Sequence, residues 1–272
     1  SGLVDFEKKY PERYFDVGIA EQHAITLSAG LSCGGLKPIV AIYSTFLQRG
    51  YDQLIHDVVI QKLDVLLAID RAGIVGADGE THQGIYNISF LRILPKIVIM
   101  TPSDELEMWK MLTTGFNYNG LASVRYPRGF SLGLDLDLKL ENIEIGKSKL
   151  IRDGEKIAYL VFGTLINNVK LVAEKNNATV VDMRFAKPID EKMIIDICNS
   201  HEYIFTVEDN AILGGAGSAV NEVVVKNSIQ TKIVNLGVPD KMIPHGNQDD
   251  ILSDLGLDVS GIMKTTNDHI AS

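Results

Sequence analysis

Short apolar runs of strand length alternate with amphipathic stretches along the whole chain. Pro38–Tyr43, Val65–Ile69, Ile97–Thr101 and Ala122–Tyr126 are apolar at nearly every position, as strands covered on both faces are. Between them, Glu21–Leu31 puts Ala24, Leu27, Ser28 and Leu31 on one helical face. Phe46–Ile60 does the same with Leu47, Tyr51, Leu54, Ile55 and Val58. Arg13–Val17 reads as a further short strand. Pro102-Ser103-Asp104-Glu105 opens a helix, with Ser103 as its N-cap and acids in the first turn. Over 129–154 the pattern loosens into alternating Leu and Asp with short β-like pieces. The earlier rhythm then resumes, with strands at 157–162, 179–183, 203–208 and 232–236 and helices between. There is no internal repeat. The pattern predicts an α/β protein of two domains, each a mostly parallel sheet flanked by helices. They span 1–135 and 154–272, with a linker over 136–153.

Composition narrows the function classes. A chain of 272 residues with 46% hydrophobic and 22% charged residues has material for two packed cores. No apolar run approaches the roughly 20 residues that a membrane-crossing helix needs. A net charge of −9 argues against nucleic-acid and anionic-membrane partners. An anionic substrate would then depend on a few placed arginines. Cys33 and Cys198 are the only cysteines and have no metal-ligand spacing, which points to a reducing, cytoplasmic compartment and to neither a disulfide framework nor a zinc site. The sequence opens on Ser1, with no leader-like segment, and reads as a fragment.

Two stretches carry candidate chemistry. Tyr14-Phe15-Asp16-Val17-Gly18-Ile19-Ala20-Glu21-Gln22-His23 delivers a carboxylate to the first turn of a helix among apolar neighbours. The helix dipole favours the charged carboxylate and desolvation opposes it, which poises such a group to share a proton with a ligand nitrogen. A plain helix-capping acid would occupy the same place. Arg71–Gly84 follows a strand end, where α/β proteins put ligands, and combines Arg71, Asp78 and His82 with turn-permitting glycines. An ordinary exposed polar loop explains the glycines but not those three side chains together. Leu213–Ser218 has the look of a phosphate-binding turn ahead of a helix, a weak pattern by itself.

The strings RYFDVGIAEQHA (Arg13–Ala24), YSTFLQRGYDQLIHD (Tyr43–Asp57), AIDRAGIVGADGETHQG (Ala68–Gly84), VIMTPSDE (Val98–Glu105) and VRYPRG (Val124–Gly129) occur in order. Together they closely resemble the deoxyxylulose-phosphate synthases, transketolase-like enzymes that use thiamine diphosphate, and the likeness runs over nearly the whole chain. It implies a pyrimidine-binding domain followed by a transketolase C-terminal domain. It also implies decarboxylation of pyruvate and ligation to glyceraldehyde 3-phosphate, giving 1-deoxyxylulose 5-phosphate and carbon dioxide on the route to isoprenoids and thiamine.

By the same resemblance, Glu21 hydrogen-bonds the aminopyrimidine ring of the cofactor and Phe46 stacks on it. Tyr43, Arg49 and Asp78 meet the acceptor aldehyde or the pyruvate-derived intermediate, Arg71 and Arg128 bind the acceptor phosphate, and His82 shuttles protons. Without the resemblance, Phe46 would pass for a core aromatic. The Leu213–Ser218 turn is expected to be structural and to hold no nucleotide. The family's diphosphate and Mg2+ site is on a separate N-terminal domain with a Gly-Asp-Gly…Asn motif, which Gly76-Ala77-Asp78-Gly79 does not reproduce. The isolated chain is therefore expected to bind thiamine diphosphate poorly and to be inactive. A homodimer is expected. Two alternatives stay open: a natural subunit of a split transketolase-type enzyme, and a non-catalytic interaction module.

Overall fold

The computed structural model describes residues 2–134 and 139–271. Among these residues, ten strands form two five-stranded sheets: β1 (Ile39–Tyr43), β2 (Leu66–Asp70), β3 (Val98–Met100), β4 (Ala122–Arg125), β5 (Lys149–Arg152), β6 (Ile157–Phe162), β7 (Thr179–Asp182), β8 (Phe185–Lys187), β9 (Tyr203–Ala211) and β10 (Lys232–Val238). The first sheet has the order β1-β2-β4-β3-β8 and the second β10-β9-β6-β7-β5. In each, four strands run parallel and one edge strand, β8 or β5, is antiparallel. Every residue of β4 and β6 is buried, the reason these strands are uninterrupted apolar runs rather than alternating ones.

The two halves share structure. β8 comes from the second half but closes the edge of the first sheet, with Met100 opposite Phe185. A single apolar cluster joins Leu67, Ile69 and Ile99 to Leu160, Met183 and Val220. Between the sheets, Ser103 Oγ donates to Asp182 Oδ2 at 2.7 Å and Arg184 Nη2 to Glu107 Oε1 at 2.6 Å.

Several local expectations need correction. Arg13–Val17 is not a strand: Pro11–Arg13 forms a 3-10 turn, and among the described residues none is a ladder partner for those after it. The helix at Glu21 continues to Cys33 and buries Ile25, Ser28 and Ala29, a face turned from the one periodicity indicated. Phe46–Ile60 is no continuous helix. It breaks into a turn at Ser44–Leu47, a 3-10 turn at Gln48–Gly50, a short piece at Tyr51–Gln53 and a π-helical stretch at Leu54–Val59. The N-cap of the Glu105–Asn117 helix is Asp104, whose Oδ1 accepts the Glu107 N–H at 2.8 Å; Ser103 serves the contact between sheets instead. Within the span expected to be linker, Lys149–Arg152 is the edge strand β5, and 136–138 lie outside the described residues. Among the described residues, no helix is long and apolar enough to cross a membrane.

Candidate active site

The site grows out of strand register. β1, β2 and β4 lie side by side, Tyr43 pairs with Asp70, and Ile69 pairs with Arg125. Parallel strands end together, so the turn after Tyr43, the loop after Asp70 and the segment after Arg125 all emerge on one edge. Phe46 and Arg49 leave on the first, Arg71, Asp78 and His82 on the second, and Arg128 on the third. Arg71 itself has φ +55, a left-handed backbone that a non-glycine residue adopts at a cost and that turns the loop sharply off the strand.

These side chains form one connected set. The Glu21 carboxylate is 3.6 Å from Arg49 Nη1, and only 12% of its side chain is exposed. The Arg49 guanidinium lies over the Phe46 ring at 5.1 Å. Phe46 stacks on Tyr43, with ring centroids 5.5 Å apart and planes 12° from parallel, and takes His82 edge-on at 5.2 Å. Arg71 covers Tyr43 at 3.9 Å. Asp78 then links the two remaining arginines, Oδ2 lying 3.2 Å from Arg71 Nε and Oδ1 3.1 Å from Arg128 Nε. All eight residues singled out from the sequence belong to this set. The Glu21 carboxylate heads the Glu21–Cys33 helix and is turned toward Arg49.

Close approach makes this possible. A Cβ at Gly50 would lie 2.9 Å from Ile25 Cγ1 and 3.2 Å from the Glu21 carbonyl oxygen. Glycine lets the 3-10 turn carrying Arg49 settle against the helix start. The Arg71–Gly84 loop is pinched at its neck, where Gly73 N–H bonds Gly84 O at 2.8 Å and Gly84 N–H bonds Gly73 O at 2.9 Å. Thr45 Oγ1 donates to Thr81 O at 2.9 Å and ties the turn after β1 to this loop.

Reading the sequence did not single out Asp70, Thr45 or Tyr126. Asp70 accepts both the Arg71 backbone N–H, at 2.6 Å, and Arg71 Nη1, at 2.7 Å. Burial, with the Asp70 carboxylate adding to it and Arg71 opposing, pushes the Tyr126 phenol up to about 12. A strand-terminal acid next to a loop arginine was the available signal for Asp70. For Tyr126 and Thr45 there was none, since their roles depend on which strands are neighbours.

The other glycine-rich turn is already filled by a carboxyl group of the protein's own. Glu208 accepts the N–H groups of Ala216 and Gly217, both at 2.8 Å, at the start of the Ala216–Lys226 helix. Burial pushes Glu208 up to about 8 against these two hydrogen bonds. Beside it, Arg125 Nη1 donates to Asp209 Oδ1 at 2.6 Å and Arg125 Nε to Asn87 Oδ1 at 3.1 Å, all buried between the halves. Among the described residues, no group of three or more His, Cys, Asp or Glu is placed to hold a metal ion.

Two mostly parallel sheets, the first with a polar, aromatic-lined edge at its strand ends, describe a transketolase-type architecture, and the comparisons agree. Residues 1–130 match the family "Transketolase, pyrimidine binding domain" and 146–262 match "Transketolase, C-terminal domain"; the chain belongs to the transketolase family. Within it, the sequence is 59% identical over 263 residues to the 1-deoxy-D-xylulose-5-phosphate synthase of Enterobacter sp. (strain 638), covering 96% of this chain and 42% of that one. It is 57% identical over 272 residues to the synthase of Citrobacter koseri, covering 100% of this chain and 44% of that one. The chain thus spans less than half the length of these curated relatives. A split-gene transketolase, solved as an inactive β4 tetramer, superposes with a TM-score of 0.88 at 26% identity, over 98% of this chain and 88% of that one. Transketolase from Campylobacter jejuni has the same fold, with a TM-score of 0.71 at 17% identity, over 93% of this chain and 39% of that one.

Proposed function

We propose that this chain supplies the pyrimidine-binding and C-terminal domains of a 1-deoxy-D-xylulose-5-phosphate synthase. The enzyme would decarboxylate pyruvate on thiamine diphosphate and join the two-carbon unit to glyceraldehyde 3-phosphate. The observation that supports this most is the connected set from Glu21 through Arg49, Phe46, Tyr43 and Arg71 to Asp78 and Arg128, with His82 against Phe46. One end of it offers a shielded carboxylate beside an aromatic ring, which fits an aminopyrimidine. The other offers two guanidiniums sharing a single carboxylate, which fits a phosphate held by charge-assisted hydrogen bonds.

Thiamine diphosphate supplies a stabilised carbanion. In this reading Glu21 holds a proton at the aminopyrimidine ring, and Phe46 fixes the ring's tilt. Tyr43, Arg49 and Asp78 orient the carbonyl partners, Arg71 and Arg128 anchor the acceptor phosphate, and His82 moves a proton. The diphosphate and Mg2+ would be gripped by a separate diphosphate-binding domain. The working assembly would be a homodimer in the cytoplasm, a placement consistent with two unpaired cysteines, one of them exposed.

A second reading is favoured by the split-gene transketolase, since the match covers nearly all of both chains. The chain would then be a natural subunit whose partner is a separate polypeptide. Either way, one experiment tests the chemistry. The chain is mixed with a separately made diphosphate-binding domain of a relative, and carbon dioxide release from pyruvate is followed. Activity that appears on mixing and is lost with Glu21→Ala is expected. A silent Glu21→Ala would sink the assignment.

A further inference from the structure

The loop that presents Asp78 and His82 is braced from outside its own domain. Its inner face is tied by Gln83, whose Oε1 accepts the Val75 N–H at 3.0 Å. Its outer face is tied by Gln248, at the start of the Gln248–Asp254 helix, whose Nε2 donates to Ile74 O at 2.7 Å. Asn247 does the capping there, accepting the N–H groups of Asp249 and Asp250, and this leaves the Gln248 side chain for the loop. The approach is tight: a Cβ at Gly76 would lie 2.8 Å from Gln248 N and 3.0 Å from Gly246 O. Beneath it, Ile74 and Ile85 pack with Val238, Ile243 and Ile251 in a buried cluster that draws from both halves of the chain. At the neck, a Cβ on Gly73 would run into the Asp209 carboxylate, which Arg125 holds in place.

We propose that Gln248 is a positioning residue for the acceptor-phosphate site, holding the limb of the loop that leads into Asp78 so that this carboxylate stands between Arg71 and Arg128. The inference rests on the proposed reading of those arginines. Its physical basis is the loop's own latitude. Gly76, at φ +63, opens the Gly76–Asp78 turn and Gly79, at φ +84, follows it, so the local backbone does not dictate where Asp78 points. A carbonyl at such a junction needs a donor, and Gln248 provides it from a rigid helix start. The C-terminal domain then acts on substrate recognition without touching substrate.

The test uses Gln248→Met, which keeps length and volume and removes the donor. In the chain itself, amide hydrogen exchange should quicken over residues 74–79 and stay unchanged in β6 and β9. In the assembled enzyme, KM for glyceraldehyde 3-phosphate should rise about five-fold, the scale of one lost hydrogen bond, while KM for pyruvate rises by clearly less. Unaltered exchange, or an equal rise in both KM values, would overturn the proposal. Arg71→Ala separates it from the reading beneath: if that variant leaves the acceptor KM untouched, the phosphate assignment fails, and the exchange result alone decides whether Gln248 braces the loop.

Discussion

The Glu21 carboxylate faces the Arg49 guanidinium across 3.6 Å, at the point where the Glu21–Cys33 helix begins and the turn after β1 passes over it. The two ends of this pair differ in exposure: the arginine side chain is 58% exposed, its partner 12%. Solvent screens the arginine, so the contact adds little stability and orients the acid instead.

The first prediction follows from that imbalance. Glu21→Gln should unfold at nearly the same denaturant midpoint as the native chain, within about 1 kcal/mol. In the assembled enzyme it should lose roughly 100- to 10,000-fold in turnover, as removal of a proton-handling group does. Urea titration and steady-state rates check the two halves separately.

Gly50→Ala should behave differently. Its new methyl meets Ile25 Cγ1 and the Glu21 carbonyl, and overpacking of this kind costs about 1–3 kcal/mol. Because the displaced turn also carries Arg49, activity should fall together with stability. A normal midpoint and normal rates would show that the turn relaxes freely.

The Arg125–Asp209 pair is buried, 3% and 10% exposed, and spans the two halves. Asp209→Ala leaves an uncompensated guanidinium and should destabilise by about 3–5 kcal/mol, whereas Arg125→Met combined with Asp209→Ala should recover much of that loss. A double-mutant cycle on unfolding free energies measures the difference.

Glu208 predicts a pH dependence of stability. Its folded-state value, about 8, lies above the ordinary 4.5, so the folded chain keeps a proton that the unfolded chain releases. Between about pH 4.5 and 8, stability contributed at this site should fall as pH rises, and level off above. Glu208→Gln should flatten that slope in thermal melts recorded across the window. A slope of the same steepness in the variant would mean the carboxyl is ionised in the folded protein.

Much of the candidate set was legible in advance because its residues cluster in sequence. Arg71, Asp78 and His82 share one loop that strand-end logic was enough to single out, whereas Tyr43, Phe46 and Arg49, which share one turn, stood out only through the family resemblance. Local conformation was less legible. The apolar spacing over Phe46–Ile60 is helical in period, yet Gly50 and the π-helical stretch reshape the segment around the Glu21 helix. Ser103 looked like a cap by position, and the buried Asp182 of the other half claimed it.

Taken alone, the sequence determined the α/β class, the continuous apolar strands and the identity of the chemical groups, because these follow from period, burial pattern and side-chain type. The tertiary structure decided which groups meet. It placed β1, β2 and β4 side by side so that Glu21, Tyr43, Arg71 and Arg128 share one edge, sent β8 across to close the first sheet, and filled the second glycine turn with Glu208. Such pairings depend on the register of strands far apart in the chain and on the burial of charge between domains, and neither leaves a periodic trace along the chain.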